Sequence, residues 1–168
     1  SGTVTIPAGQ ASATIAVDVL DDNVIEIPET VVVTLTGTNH AGATIHATNK
    51  TATVTIDSAD DNATVSINAT DAAGSEPGTD DAQFTVTLSG GKLAPTGGIV
   101  VNYTTSGTAT AGSDFTALTG SVTIPAGASS ATITVDVLAD NVVETSETVV
   151  VTLTGTNHTG ATLAATGV

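Results

Sequence analysis

The fold is decided by Ala131-Thr-Ile-Thr-Val-Asp-Val-Leu138, the acidic segment Asp140-Asn-Val-Val-Glu-Thr-Ser-Glu147, and Thr148-Val-Val-Val-Thr-Leu-Thr154. In the first and last of these segments, every second side chain is apolar, so one face of each is apolar throughout. A period of two is typical of half-buried antiparallel strands. The sequence therefore predicts two strands joined by a turn that is rich in carboxylates.

This arrangement occurs twice in the chain. Residues 2–47 match residues 120–165 at a constant offset of 118, with 35 of 46 aligned positions identical. Such an offset is far longer than a solenoid repeat and corresponds to a domain of common size. We therefore expect residues 1–61 to be the C-terminal half of one unit and residues 62–168 a nearly complete unit that lacks its last strand. We also expect the chain to be part of a longer tandem protein, with neighbouring repeats as its partners.

Further strands are predicted where alternating Val, Ile and Thr residues lie between turns rich in Gly and Pro. They cover residues 14–20, 30–36, 51–57, 63–68, 82–89, 98–106 and 120–124. About seven short strands per unit, without a helical period, are typical of an immunoglobulin-like antiparallel β-sandwich. Aromatic residues make up only 2% of the chain, and we expect two of them, Phe84 and Phe115, to lie in the core.

The composition is strongly acidic. There are 17 Asp and Glu residues against two lysines, Lys50 and Lys92, which gives a formal net charge of -15. This charge excludes nucleic acids as partners and disfavours anionic membrane surfaces. No apolar run approaches the roughly 18 residues of a membrane helix, so no direct membrane insertion is expected. Because cysteine is absent, neither disulfides nor thiolate metal sites are available.

The two acidic segments are candidate metal sites. Each places three carboxylates within eight residues: Asp140, Glu144 and Glu147 in one copy, and Asp22, Glu26 and Glu29 in the other. Hard divalent cations bind such oxygen ligands, and Ca²⁺ tolerates irregular loop geometry better than Mg²⁺ does. A solvated acidic turn is the competing interpretation. The repeated spacing favours calcium.

Together these motifs resemble the Calx-β domain. The resemblance lies in the acidic pattern Asp-x-x-x-Glu-x-x-Glu, the Thr-Val-Val-Val-Thr-Leu strand after it, and the strand Ala52-Thr-Val-Thr-Ile-Asp57, which leads into an acidic cluster. It covers essentially the whole chain, with one partial and one nearly complete copy. It implies a β-sandwich that holds calcium at one end.

The resemblance also implies the ligands. In the nearly complete copy they would be Glu76, Asp114 (within Gly112-Ser-Asp-Phe115), Asp140, the backbone carbonyl of Val142, Glu144 and Glu147. In the partial copy they would be Asp22, Glu26, Glu29, Asp57, Asp60 and Asp61. We interpret Asp80 and Asp81 as solubilising loop residues or, at most, outer ligands.

The sequence offers no support for catalysis. It contains no nucleophile elbow and no phosphate-binding loop. The three histidines, His40, His46 and His158, are expected to be loop residues. By the resemblance, the function expected is a calcium-binding rigid extender in an adhesin on a bacterial cell surface. A regulatory calcium sensor of a membrane transporter or receptor is the alternative, and a module that itself binds sugar or ice is a third hypothesis.

A final expectation concerns association. The partial copy has no counterpart of the first strands of the complete unit, so its apolar face would be open to water. Exposed edges and apolar faces favour pairing between chains. We therefore expect strand exchange between chains.

Overall fold

The computed structural model describes residues 1–57, 60, 62–76, 80–139 and 141–165. In chain order the strands are β1 (Glu29–Thr34), β2 (Thr51–Ile56), β3 (Ala63–Asp71), β4 (Ala82–Leu88), β5 (Ile99–Gly107), β6 (Ser121–Ile124), β7 (Ser130–Val135), β8 (Val149–Thr156) and β9 (Ala161–Leu163). A 3-10 turn, Ser89–Gly91, follows β4. The predicted all-β class is confirmed.

Strands β3 to β9 form a two-layered sandwich. They lie within residues 62–168, the nearly complete unit, which we call the complete unit. One sheet has the order β7-β4-β3-β9 and the other the order β6-β5-β8. Neighbouring strands are antiparallel except β3 and β9, which are parallel. This architecture confirms the predicted sandwich, and it places the loop that connects β7 to β8 between the two sheets at one end.

Aliphatic side chains from both sheets fill the core. Those almost fully buried are Val65, Val86 and Leu88 from one sheet, and Ile99, Val101 and Ile124 from the other. Each contributes about 1.5–3 kcal/mol through removal of apolar surface from water. Phe115 is buried as predicted, whereas Phe84 is partly buried and packs at the margin of the same cluster. Tyr103 is also buried, so all three aromatic residues lie in or against a core that is otherwise aliphatic.

Residues 1–61 form the partial copy, which we call the leading copy. It contains a two-stranded sheet in which β1 pairs antiparallel with β2. The prediction of a strand at residues 14–20 is wrong, because these residues form no strand. Their counterpart in the complete unit, β7, pairs with β4. The chain holds no second copy of β4, so residues 14–20 lack a ladder partner. Most of their apolar side chains are consequently exposed, for example 48% for Ile15 and 89% for Leu20, although Val17 is partly buried.

Strand β9 was not predicted. It spans only three residues and pairs with β3 from Ala63↔Ala161 to Val65↔Leu163. Three residues are too few to show a period, and the parallel partner lies almost 100 positions earlier in the chain. No helix in the part of the chain that the structure describes is long and apolar enough to cross a membrane.

We predict that Gly107→Ala destabilises the sandwich by about 1–3 kcal/mol. Gly107 has a φ of +124°, and a Cβ at this position would lie 2.0 Å from the backbone oxygen of Thr148. Gly155→Ala is the matched control, because a Cβ at Gly155 meets no atom within 4 Å. Thermal unfolding in chelator measures both variants. Equal melting temperatures for the two would contradict the assigned close approach.

Candidate metal centre

Asp114 lies in a tightly bonded turn between β5 and β6. Its Oδ2 accepts a hydrogen bond of 2.6 Å from the N–H of Thr110, and its backbone oxygen accepts one of 2.9 Å from the N–H of Leu138. Gly112 has a φ of +90° and donates its N–H to the backbone oxygen of Phe115 at 2.8 Å. Phe115, only 5% exposed, anchors the turn in the core. The Asp114 carboxylate is thus held at one end of the sandwich.

The acidic loop between β7 and β8 ends on a second anchor, Thr148. The N–H groups of Thr108 and Ala109 donate to the backbone oxygen of Thr148 at 3.0 and 3.1 Å. The N–H of Thr148 donates to Oγ1 of Thr108 at 3.0 Å. Residues 108 and 109 directly precede the turn that carries Asp114. These bonds therefore bring the acidic loop and the Asp114 turn to the same edge of the molecule.

Three predicted ligands meet at this edge. Carboxylate oxygens of Asp114, Glu144 and Glu147 all lie within 4.8 Å of one another. Two Ca²⁺–oxygen bonds of 2.3–2.6 Å separate their oxygens by at most about 5 Å, so this spacing suits ligands of a single Ca²⁺ ion. Asp114 is partly buried and both glutamates are exposed, which leaves the group accessible to ions from solvent.

The pKa of Glu147 is raised above its ordinary value of 4.5. The largest cause is a hydrogen bond with the Asp114 side chain, followed by desolvation and by the negative charges of Asp114 and Glu144. Carboxyl groups this close resist simultaneous ionisation, and one of them retains a proton more readily. A cation at the same place would relieve the repulsion without the proton. The chemistry of these residues therefore fits a hard divalent ion.

A cleft of about 500 Å³ surrounds this cluster. Glu76 and Val142, two further predicted ligands, line the cleft, but Glu76 lies outside the three-carboxylate group. Asp71, at the end of β3, also lines it. Asp71 was not predicted as a ligand, since it lies in no acidic motif. Asp140 lies outside the described residues.

The two aspartates interpreted as solubilising contribute to local structure. Oδ1 of Asp81 accepts a hydrogen bond of 3.1 Å from the N–H of Val137, a residue that lines the cleft. The backbone oxygen of Asp80 accepts a bond of 2.9 Å from the N–H of Ser75. Asp81 thus positions the start of the acidic loop. The sequence did not reveal this role, because the bonded residues are 56 positions apart.

The leading copy of the acidic segment has different surroundings. Asp22, Glu26 and Glu29 line a separate cleft of about 430 Å³, together with residues of the complete unit such as Ala94 and Pro95. Oδ1 of Asp22 accepts a hydrogen bond of 3.0 Å from the N–H of Val24. Among the described residues, these three carboxylates do not form a group as close as that around Asp114.

The terminal aspartates of the leading copy also differ from one another. Asp57 is exposed just after β2, and Asp61 lies outside the described residues. Asp60 is only 4% exposed; it forms an ion pair with Lys92, and its Oδ2 accepts a hydrogen bond of 3.1 Å from the N–H of Asn23. The Lys92 ammonium therefore compensates the charge of Asp60.

The histidines are loop residues, as predicted. In each, Nδ1 accepts a hydrogen bond from a backbone N–H: from Gly42 to His40 at 3.1 Å, from Asn49 to His46 at 3.1 Å, and from Gly160 to His158 at 3.2 Å. The rings thus stabilise local turns.

We predict that Glu147→Gln raises the melting temperature of the metal-free protein at pH 7. A carboxyl group whose pKa is raised by folding stabilises the fold while it is protonated; this contribution is complete below pH 4.5 and is lost as pH rises through the raised pKa. Glutamine stays neutral, so the advantage of the variant should shrink as pH falls through the raised pKa and should be small below pH 4.5. Melts in chelator across this range measure it. A variant less stable than the parent at pH 7 would show that repulsion is unimportant.

A known domain family matches the sequence of the chain. The sequence profile of the Calx-beta domain matches residues 1–60 and residues 58–167, whereas no curated protein matches the chain. Calx-beta domains are non-catalytic structural or regulatory β domains, and they are known to bind calcium. Since the two matches together span nearly the whole chain, the chain belongs to the Calx-beta domain family.

Proposed function

We propose that the protein is a calcium-binding structural repeat that acts as a rigid extender in an adhesin on a bacterial cell surface. The observation that carries the calcium proposal is the close group of Asp114, Glu144 and Glu147, in which the pKa of Glu147 is raised. In a chain with a net charge of -15 and two lysines, few side chains are available to neutralise this group. A divalent cation is the simplest compensation.

The proposed ion would hold together parts of both sheets. Asp114 lies in the turn between β5 and β6, whereas Glu144 and Glu147 lie in the loop that leaves β7 for β8. Strand β7 belongs to one sheet, and β5, β6 and β8 belong to the other. Ca²⁺ supplies a double positive charge that attracts all three carboxylates. The attraction of each carboxylate to the ion would then outweigh the repulsion between the carboxylates and hold this end of the sandwich closed.

An extracellular location suits such a site. Extracellular modules bind Ca²⁺ with dissociation constants of roughly 10⁻⁴ to 10⁻³ M. At a tenfold excess of calcium over such a constant, one site adds about 1.4 kcal/mol to the free energy of unfolding. The chain has neither disulfides nor a large aromatic core, so an increment of this size is significant.

The near identity of the two copies favours an extender over a regulatory sensor. Of 46 aligned positions, 35 are identical. A spacer gains length from each copy without any need for the copies to differ, whereas a sensor coupled to a transport domain needs contacts specific to that domain. The sensor is therefore the alternative function, and flanking membrane segments in the longer protein would favour it.

We also propose strand exchange between chains. Strand β8 is at the edge of its sheet, with β5 on one side. Strand β1 has nearly the same sequence as β8 and pairs with β2. A strand with the sequence of β2, supplied by another chain, therefore fits the open edge of β8.

We predict that millimolar calcium raises the melting temperature by about 3–6 °C, as expected for roughly 1.4 kcal/mol in a domain of this size. Asp114→Asn and Glu144→Gln should each remove most of the shift because they delete a carboxylate from the close group. Asp136→Asn, which neutralises an exposed aspartate outside the cleft, is the control and should keep the shift. Identical melts of the parent protein in calcium and in chelator would refute the proposed function.

For strand exchange, we predict that the average mass measured by light scattering rises with protein concentration above the 16.3 kDa of one chain. Thr53→Pro should reduce this rise, since proline removes a donor from β2. A single 16.3 kDa species at the highest attainable concentration would rule out the exchange.

A further inference from the structure

The acidic loop of the leading copy inserts an aliphatic side chain into the complete unit. Ile25 has no exposed surface and belongs to the same buried cluster as Ala94, Ile99 and Ile124. Its neighbours on either side, Val24 and Glu26, are partly buried. Ile25 is therefore a core residue of the unit that follows its own.

Backbone hydrogen bonds fix this insertion. The N–H of Ile25 donates to the backbone oxygen of Leu93 at 3.0 Å, and the N–H of Leu93 donates to that of Asn23 at 2.9 Å. Asn23 has a φ of +62°, and its N–H donates a hydrogen bond of 3.1 Å to Oδ2 of Asp60. The ion pair between Asp60 and Lys92 lies beside this bridge. Backbone, charge and apolar contacts all hold the loop in place.

The complete unit supplies a socket for Ile25. Ala94, Pro95, Ala126 and Gly127 line the cleft beside it. The N–H of Gly127 donates to the backbone oxygen of Ala94 at 2.8 Å, and the N–H of Ala94 donates to that of Ala128, also at 2.8 Å. These bonds lie within the complete unit. The socket is therefore built by that unit itself, without residues of the inserted loop.

The second copy of the loop presents the same feature without a socket. Position 143 corresponds to position 25 at the repeat offset of 118, and Val143 is 99% exposed. Val142, which corresponds to Val24, is 62% exposed. The asparagine before them is also retained, as Asn141 for Asn23. An aliphatic side chain fully open to water on this loop is thus the unburied counterpart of a buried one.

We propose that Val143 inserts into the corresponding socket of a following copy of this unit. The partner surface is the equivalent of Leu93, Ala94 and Pro95, together with residues 126–128, in that copy. The proposal rests on the proposed function as a tandem extender and identifies the residue that joins successive units. Val143 immediately precedes Glu144, so the joint and the carboxylate cluster share one loop.

The test extends the whole chain by one unit in register, as residues 1–168 followed by a second copy of residues 51–168, with ¹⁵N only in the added copy. Amide hydrogen exchange then reports the bridge directly. The N–H of Leu93 in the added copy should be protected, as the bond from Leu93 to Asn23 predicts. Val143→Asn in the original copy of the extended chain should accelerate the exchange of this N–H at least tenfold. Val143→Ile should preserve or increase the protection.

Two controls separate docking from unfolding. In the 168-residue protein, Val143→Asn should leave the melting temperature unchanged, because Val143 is exposed there and asparagine adds no charge beside Glu144. With ¹⁵N in the original copy instead, Leu93 of that copy should keep its protection in the Val143→Asn variant and lose it in Ile25→Asn. Equal exchange of the added Leu93 in the parent and in Val143→Asn would overturn the proposal.

Measurements in chelator and in calcium distinguish the two proposals. If protection of the added Leu93 N–H depends on Val143 but calcium does not change the melting temperature, the joint is supported and the calcium function is contradicted. A calcium-dependent melt with no protection of the added Leu93 would contradict the joint alone.

Discussion

Repulsion between carboxylates is the main electrostatic constraint on this chain. Seventeen acidic residues face two lysines, and the loops at the ends of the units concentrate the negative charge. The structure shows two forms of compensation. At the junction between the copies, Lys92 pairs with the buried Asp60. In the loop between β7 and β8, Glu147 and Asp114 share a hydrogen bond that raises the pKa of Glu147. The first form compensates a carboxylate with an ammonium group, whereas in the second the proposed divalent ion would replace the shared proton.

The two copies of one loop show how context changes the role of a nearly identical sequence. In the leading copy the loop lies against the following unit, Ile25 is buried, and the three acids remain apart. In the second copy Val143 is exposed, while Glu144 and Glu147 converge on Asp114. The turn that supplies Asp114 belongs to the complete unit and has no counterpart before the leading loop. The carboxylate cluster therefore needs the strands that precede its loop, and the joint needs the unit that follows it.

Much of the fold was predictable from local patterns. The alternation in β4, β5 and β8 reflects one buried and one exposed face, and this information lies within each strand. Residues 14–20 carry the same alternation but form no strand, because a strand also needs a hydrogen-bonded neighbour. Periodicity reports which side of a segment is apolar. It does not report whether a partner strand exists.

In the candidate site, too, residues in local motifs were predicted, whereas contacts distant in sequence were not. Asp114, Glu144 and Glu147 were predicted from motifs, and the structure brings them together. The roles of Asp81 and Asp60 depend on partners 56 and 32 positions away, Val137 and Lys92, which no local motif encodes. The burial of Ile25 likewise depends on the following unit. Contacts between residues distant in sequence could not be predicted, because no local pattern in the sequence encodes them.

The most direct measurement is anomalous scattering at a long X-ray wavelength from crystals of the 168-residue protein grown in millimolar calcium. If calcium binds as proposed, an anomalous peak should lie 2.3–2.6 Å from carboxylate oxygens of Asp114, Glu144 and Glu147. Well-ordered density in which these three side chains point into solvent, with no peak between them, would contradict it.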